Sequence, residues 1–134
     1  MITFSMTGGA GSSACVTIDA FTEVANLTSV SSSPVANSGT STTQSLTTGN
    51  AFATPNLVYM SVAYTGDPGT LSTAVGTQLT KTCGGTPLLC VAASFRAANG
   101  LGPFNQTVNS QNSVPWEASI ESLQGTRIFA DGFE

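Results

Sequence analysis

Three cysteines are the residues whose spacing in this sequence points most directly to a covalent bond. Cys83 and Cys90 flank Gly-Gly-Thr-Pro, a turn sequence that can bring two strand ends together. In the chain-entropy picture, a disulfide closing so short a loop stabilises the fold by roughly 2–3 kcal/mol. We predict that bridge, with two free buried thiols as the alternative. Cys15 is then left over, and we expect it to be a buried thiol.

Residue types that support catalysis are scarce. The sequence has no histidine, so a serine or cysteine nucleophile lacks its usual base and a zinc site lacks common ligands. Glu117 and Glu121 fall on one strand face, and at ~3.3 Å per residue they lie about 13 Å apart. The paired carboxylates of glycosidases are only ~5–9.5 Å apart. We therefore predict that the protein is not an enzyme and holds neither a metal nor a cofactor.

Three aromatic residues are the candidates for stacking on a sugar: Tyr59, Tyr64 and Trp116. Trp116 lies on the apolar face of an alternating segment, which favours a place in the core. Exposure of Trp116 or of a tyrosine in a concave site would instead favour a carbohydrate-binding module.

The composition is poor in charge. Three basic and seven acidic residues give a net charge of −4, whereas cytosolic domains carry about a quarter charged residues. A surface of hydroxyls and amides is typical of an extracellular or virion protein. Three basic residues are too few to bind nucleic acid. No apolar run reaches the ~20 residues of a membrane span, and we expect no secretory signal at the first residues.

The elements that must position these residues are short strands. Residues 57–65 form the densest run of β-branched, aromatic and aliphatic residues, which predicts a central strand covered on both faces. Asp67-Pro-Gly-Thr70 predicts a type II turn after it, since Gly69 supplies the positive φ at the third position. Residues 71–82 read as one or two short strands split at Gly76.

Other segments alternate or break in the same manner. We predict strands at residues 2–6, 14–21, 88–96, 104–109 and 116–123, with loops at 97–103 and 110–113. The polar stretch 37–50 allows either an edge strand or a long loop. The pattern predicts an all-β, single-domain protein, an antiparallel β-sandwich of jelly-roll type. Its parts are an N-terminal strand segment with a glycine-rich spacer (1–13), the sandwich (14–123) and a tail (124–134).

The tail carries a resemblance. Arg127-Ile-Phe-Ala-Asp-Gly-Phe-Glu134 resembles the short endings of many secreted or surface proteins of Gram-negative bacteria, which close on Asp-Gly-Phe-Glu or nearly so. The region 47–123 is similar to jelly-roll modules repeated in bacterial extracellular and phage tail proteins. That similarity rests on a polar strand, Leu-Val-Tyr-Met-Ser-Val-Ala-Tyr, a turn, Gly-Thr-Gln-Leu-Thr and a last strand with tryptophan. The resemblance implies export to the bacterial surface or medium, not an activity.

The N-terminal segment suggests how copies of the chain join. Ile2, Phe4 and Met6 form an apolar row, and the glycines that follow give it freedom to leave its own body. We therefore expect a non-enzymatic structural protein that assembles with itself, as a surface or filament subunit joined by strand addition. Pairing of this segment within its own domain is the alternative. A glycan-binding or adhesive module and a phage virion protein are the rival functions.

Overall fold

All regular structure in the described part of the chain is β-strand. The computed structural model describes residues 27–29, 35–49, 56–74, 77–99 and 102–125. Within these ranges no helix occurs, and the all-β prediction is confirmed. The strands are β1 (Leu27–Ser29), β2 (Val35–Thr47), β3 (Asn56–Thr65), β4 (Leu71–Thr73), β5 (Gln78–Gly84), β6 (Leu89–Ala98) and β7 (Asn105–Gly125).

The described strands form one antiparallel sheet of seven, organised around β7. The main order is β1-β7-β3-β6-β5, and β2 and β4 also pair with β7. β1 and β2 share one side of β7, while β3 and β4 follow one another on its other side. The division into two separate sheets that a sandwich implies is not confirmed.

The sheet curls so that its apolar face encloses the core. Gln106 on β7 donates a 2.8 Å hydrogen bond to the carbonyl of Ser94 on β6, although β3 lies between these strands in the main order. The first half of β7 must therefore lie across the sheet. The core members are Leu46, Val58, Met60, Val62, Tyr64, Cys90, Ala92, Ala98, Val108, Trp116, Ala118 and Ile120.

β3 is the central strand that the sequence predicts, between β6 and β7. Its core face, Val58 to Tyr64, is at most 1% exposed. The prediction of cover on both faces holds only at one end. Leu57 is fully buried on the other face, but Ala63 and Thr65 there are exposed.

The positive φ predicted for Gly69 and the split into two short strands are confirmed, but the chain does not reverse at residues 67–70, because β3 and β4 both run antiparallel to β7. Gly69 has a φ of +69°, and the Asp67 carboxylate accepts a 2.9 Å hydrogen bond from its amide. A Cβ on Gly69 would lie 2.8 Å from Gln111 Oε1, so only glycine fits this turn. β4 and β5 are the two short strands, on either side of the predicted break.

The loop predicted at residues 110–113 is wrong, because β7 continues through it as a single strand. Its backbone finds partners on the β3–β4 turn: the amides of Gln111 and Asn112 donate to the carbonyls of Thr70 and Pro68 at 3.0 Å each. Those tertiary bonds hold a polar stretch extended. The sequence therefore predicts two short strands, at 104–109 and 116–123, where the structure has the single strand β7.

The polar stretch 37–50 forms most of β2, so the edge-strand alternative is the one that the structure adopts. A register shift between Ser41 and Thr43 marks a β-bulge against β7. The predicted strands at 2–6 and 14–21, with Cys15, lie outside the described residues.

Candidate functional site

A polar network surrounds the bulge of β2. The Trp116 indole donates a 3.0 Å hydrogen bond to Ser41 Oγ, which itself donates to the Thr43 carbonyl at 2.7 Å. The Tyr64 hydroxyl donates to Gln44 Oε1 at 2.9 Å, and Gln44 Nε2 donates to the Ser41 carbonyl at 2.9 Å. The bond between Tyr64 and Gln44 is buried, so it satisfies polar groups inside the core, whereas the bond between Ser41 and Thr43 is exposed at the surface.

Tyr64 is the member of this network whose pKa is shifted, and the cause of the shift is its burial. It is 1% exposed, and burial raises its pKa from the ordinary 10.0 to about 12. The phenol therefore stays protonated throughout the physiological range, where it remains a hydrogen-bond donor to Gln44. Its chemistry is that of a structural contact.

The same two aromatic residues contribute atoms to an open groove of about 590 Å³ that crosses β2, β7, β3 and β6. Tyr64 and Trp116 point their side chains into the core, since they are 1% and 7% exposed. The open side of the groove is therefore formed by their neighbours along each strand. These are Ser38, Thr40, Ala63, Thr65, Leu89, Val91, Pro115 and Glu117.

The groove is chemically simple. Glu117 is the one charged residue among those that line it, and it stands among hydroxyls and aliphatic side chains. With no basic residue in the lining, the groove does not suit a phosphate or another anion. With one carboxylate and no second acid, base or nucleophile paired to it, the lining offers no constellation for catalysis.

The disulfide prediction is confirmed. Cys83 and Cys90 are direct cross-strand partners on β5 and β6, and the structure joins them as a disulfide. Cys90 is fully buried, beside Tyr64 in the register of β3 and β6, whereas Cys83 is exposed at the margin of the sheet. The bridge therefore ties the outermost described strand of this side to the core.

The other sequence candidates do not converge. Glu117 is exposed and Glu121 half-buried on the face of β7 opposite to the core, and Glu121 does not line the groove. Tyr59 is half-buried on that same outer face of β3 and also lies outside the groove. The core position expected for Trp116 is the one observed. No three His, Cys, Asp or Glu side chains within the described ranges are grouped to hold a metal.

Sequence reasoning missed the network at the bulge. Gln44 is fully buried, but its flanking residues are a run of serines and threonines that carries no sign of burial. The weak signal was Leu46, two positions further along the same strand face. That alternation identifies the core side of β2 only when the strand itself is already known.

A second feature is the side of β2 that faces away from β7, which we term the open margin (residues 35–40). Among the described residues β2 pairs only with β7, and all six residues of the open margin are exposed. β2 has neither a charged residue nor a proline. Edge strands are usually protected against pairing by charges, prolines or cover. Its single bulge lies beyond the open margin.

Comparisons with known proteins find no match among protein families, curated proteins or solved structures. Within the described ranges there is also no helix of the length and apolarity that a membrane span requires. The function must therefore be argued from the site itself.

Proposed function

We propose that the protein is a non-enzymatic, exported structural subunit that assembles with copies of itself by strand addition. The observation that carries this proposal is the open margin of β2, an exposed run of backbone without charge or proline. Exposed N–H and C=O groups on a sheet edge are a template for a strand of another chain.

Composition supports an exported location. The chain has only three basic and seven acidic residues, and its surface strands are rich in serine, threonine and asparagine. The Cys83–Cys90 disulfide agrees with an oxidising compartment, where such bonds persist. With the resemblance of the tail, these features favour the bacterial surface or medium.

The donor in this proposal is the N-terminal row of Ile2, Phe4 and Met6. Light scattering should give a particle much larger than one chain for the intact protein. Deletion of residues 1–7 should leave folded monomers. The proposal is wrong if the intact protein is monomeric at high concentration, or if the truncated chain assembles normally.

A matched pair of full-length variants separates assembly from folding. Phe4→Asp places a charge in the apolar row, and Ser5→Asp places the same charge on the opposite face of the segment. We expect the first to abolish assembly and the second to reduce it little. Circular dichroism should show the same β spectrum for both variants.

The groove favours a second candidate function, binding of a neutral glycan. Its hydroxyls and Glu117 offer hydrogen bonds to sugar hydroxyls, and its aliphatic side chains offer apolar contact. Burial of Trp116 and Tyr64 removes the stacking faces that usually give such sites affinity, so we rank this function second. A glycan array that shows binding lost in Glu117→Gln, with assembly unchanged, would reverse this order.

A further inference from the structure

Among the described strands, β2 and β5 lie at opposite margins of the sheet, and these margins differ in cover. On the β5 side, Lys81 reaches over to the β3–β4 turn. Its ammonium donates a 2.7 Å hydrogen bond to the Gly69 carbonyl and lies 4.0 Å from the Asp67 carboxylate. An incoming strand would have to displace this cation and its contacts. At the open margin of β2 the Ser38 amide donates a 2.9 Å hydrogen bond to the Asn37 side-chain oxygen, which an incoming strand would replace with a ladder bond, and no charged side chain among the described residues lies across it.

The open margin also borders the core. In the register of β2 and β7, Val35 lies opposite Ile120, Asn37 opposite Ala118 and Gly39 opposite Trp116. The three β7 residues are buried, at 1%, 5% and 7% exposure, whereas Val35 is 36% exposed. The core-facing side of β2 is therefore exposed and lies directly beside the buried face of the sheet.

At Gly39, opposite Trp116, the core-facing side of β2 carries no side chain. A Cβ at this position would lie 3.2 Å from a ring carbon of Trp116, so the indole reaches to the β2 backbone itself. The hydrogen bond from the indole to Ser41 holds the ring there. A large apolar side chain on an added strand would therefore contact the edge of the Trp116 ring, because Gly39 has no side chain to block it.

We propose that residues 35–39 of β2 accept residues 2–6 of a second copy of the chain as an added strand. This inference rests on the proposed function and names its acceptor. Both segments have five residues and no charge; residues 35, 37 and 39 of β2 face the core side, and residues 2, 4 and 6 are the apolar alternate positions of the donor sequence. Ile2, Phe4 and Met6 extend the apolar face beyond Val35 and Gly39, while ladder hydrogen bonds fix the strand.

Strand addition of this kind is heterologous. The donor lies in the N-terminal segment and the acceptor in β2, so each copy offers both surfaces at once. Contacts between two different surfaces propagate from copy to copy and give rings or filaments according to the rotation. The proposed contact would therefore give the assembly a head-to-tail polarity.

Cross-linking between two separately labelled copies tests the acceptor. In a Cys15→Ser background with the disulfide intact, we would mix Phe4→Cys protein with ¹⁵N-labelled Asn37→Cys protein. Residue 37 faces the core side of β2, and the proposed pairing places residue 4 on the same side. A short bis-maleimide should join them, and mass spectrometry should identify a mixed-isotope dimer linked at residues 4 and 37. Thr80→Cys on the exposed β5 strand is the control, and we expect it not to cross-link to Phe4→Cys.

The outcomes separate the rival occupants. Cross-linking of Asn37→Cys to itself would mean a symmetric β2–β2 contact and would overturn the acceptor assignment. A chain that carries both Phe4→Cys and Asn37→Cys provides a second test. A cross-link within that single chain, at a concentration where mixed dimers do not form, would mean that the segment pairs within its own domain and would also overturn the assignment. Linkage to Thr80→Cys instead would place the acceptor on β5. In the last case, loss of assembly on deletion of residues 1–7 would still support the proposed function.

Discussion

At the scale of single residues, Tyr64 links the core to the bulge of β2. Its hydroxyl donates to Gln44, and burial raises its pKa to about 12. Below pH 10 the phenol is protonated in both folded and unfolded chains. Between pH 10 and about 12 the unfolded chain loses this proton first, so the free energy of unfolding falls as pH rises. The full loss is roughly 3 kcal/mol.

Urea denaturation at several pH values from 9 upwards measures this fall. Tyr64→Phe removes the titrating group, so its stability should change less across the same range. That variant starts about 1 kcal/mol lower, because Gln44 loses a buried hydrogen bond. Equal slopes for the native protein and Tyr64→Phe would show that the effect belongs to another group. Tyr59→Phe is the control that should retain the fall.

At the scale of elements, β3 is the strand on which the fold depends. Val62 is 1% exposed on its core face, and Thr65 is exposed on its other face. Val62→Asp buries an unpaired carboxylate, and we expect a cost of ~4 kcal/mol or more, enough to unfold the domain. Thr65→Asp adds the same charge to the same strand at a solvent-exposed position, so it should reduce the free energy of unfolding only slightly.

Circular dichroism and thermal melting distinguish these two variants. The expected result is loss of the β spectrum for Val62→Asp at room temperature, with a native-like melt for Thr65→Asp. A soluble Val62→Asp protein with an unchanged melting temperature would mean that the core lies elsewhere.

At the scale of the whole molecule, the sparse charge predicts how assembly responds to salt. The proposed donor and acceptor segments are uncharged, so their contact depends on backbone hydrogen bonds and apolar cover. Between about 10 mM and about 1 M salt the screening length falls from ~30 Å to ~3 Å. We expect the sedimentation profile of the assemblies to change little over this range.

A Ser5→Asp, Ser38→Asp double variant gives the matching control for the salt experiment. It places like charges on the donor and acceptor segments, and Ser38 already lies opposite Glu117, so assembly should weaken at low salt and recover partly at high salt. Dissociation of the unmodified assemblies at high salt would instead indicate an interface held by ion pairs.

The sequence determined the features that depend on neighbours in the chain. Alternation over residues 116–123 identified Trp116, Ala118 and Ile120 as core residues, and all three are buried. Asp67-Pro-Gly identified Gly69 as a position of positive φ, because a glycine after proline adopts that angle without steric cost. The Cys83–Cys90 bridge followed from a short spacing across a turn. Each of these needs only a few residues to be specified.

Only the tertiary structure decided the features that need a distant partner. Residues 37–47 are polar apart from Leu46, and they become a strand because β7, more than fifty residues away in sequence at every pair, satisfies their backbone groups. Residues 110–113 stay extended because the β3–β4 turn accepts the amides of Gln111 and Asn112. The curl of the sheet decided which face of β3 is buried and where the groove and the open margin lie. Polar segments have no burial pattern of their own, so their conformation is set by the strands that they meet.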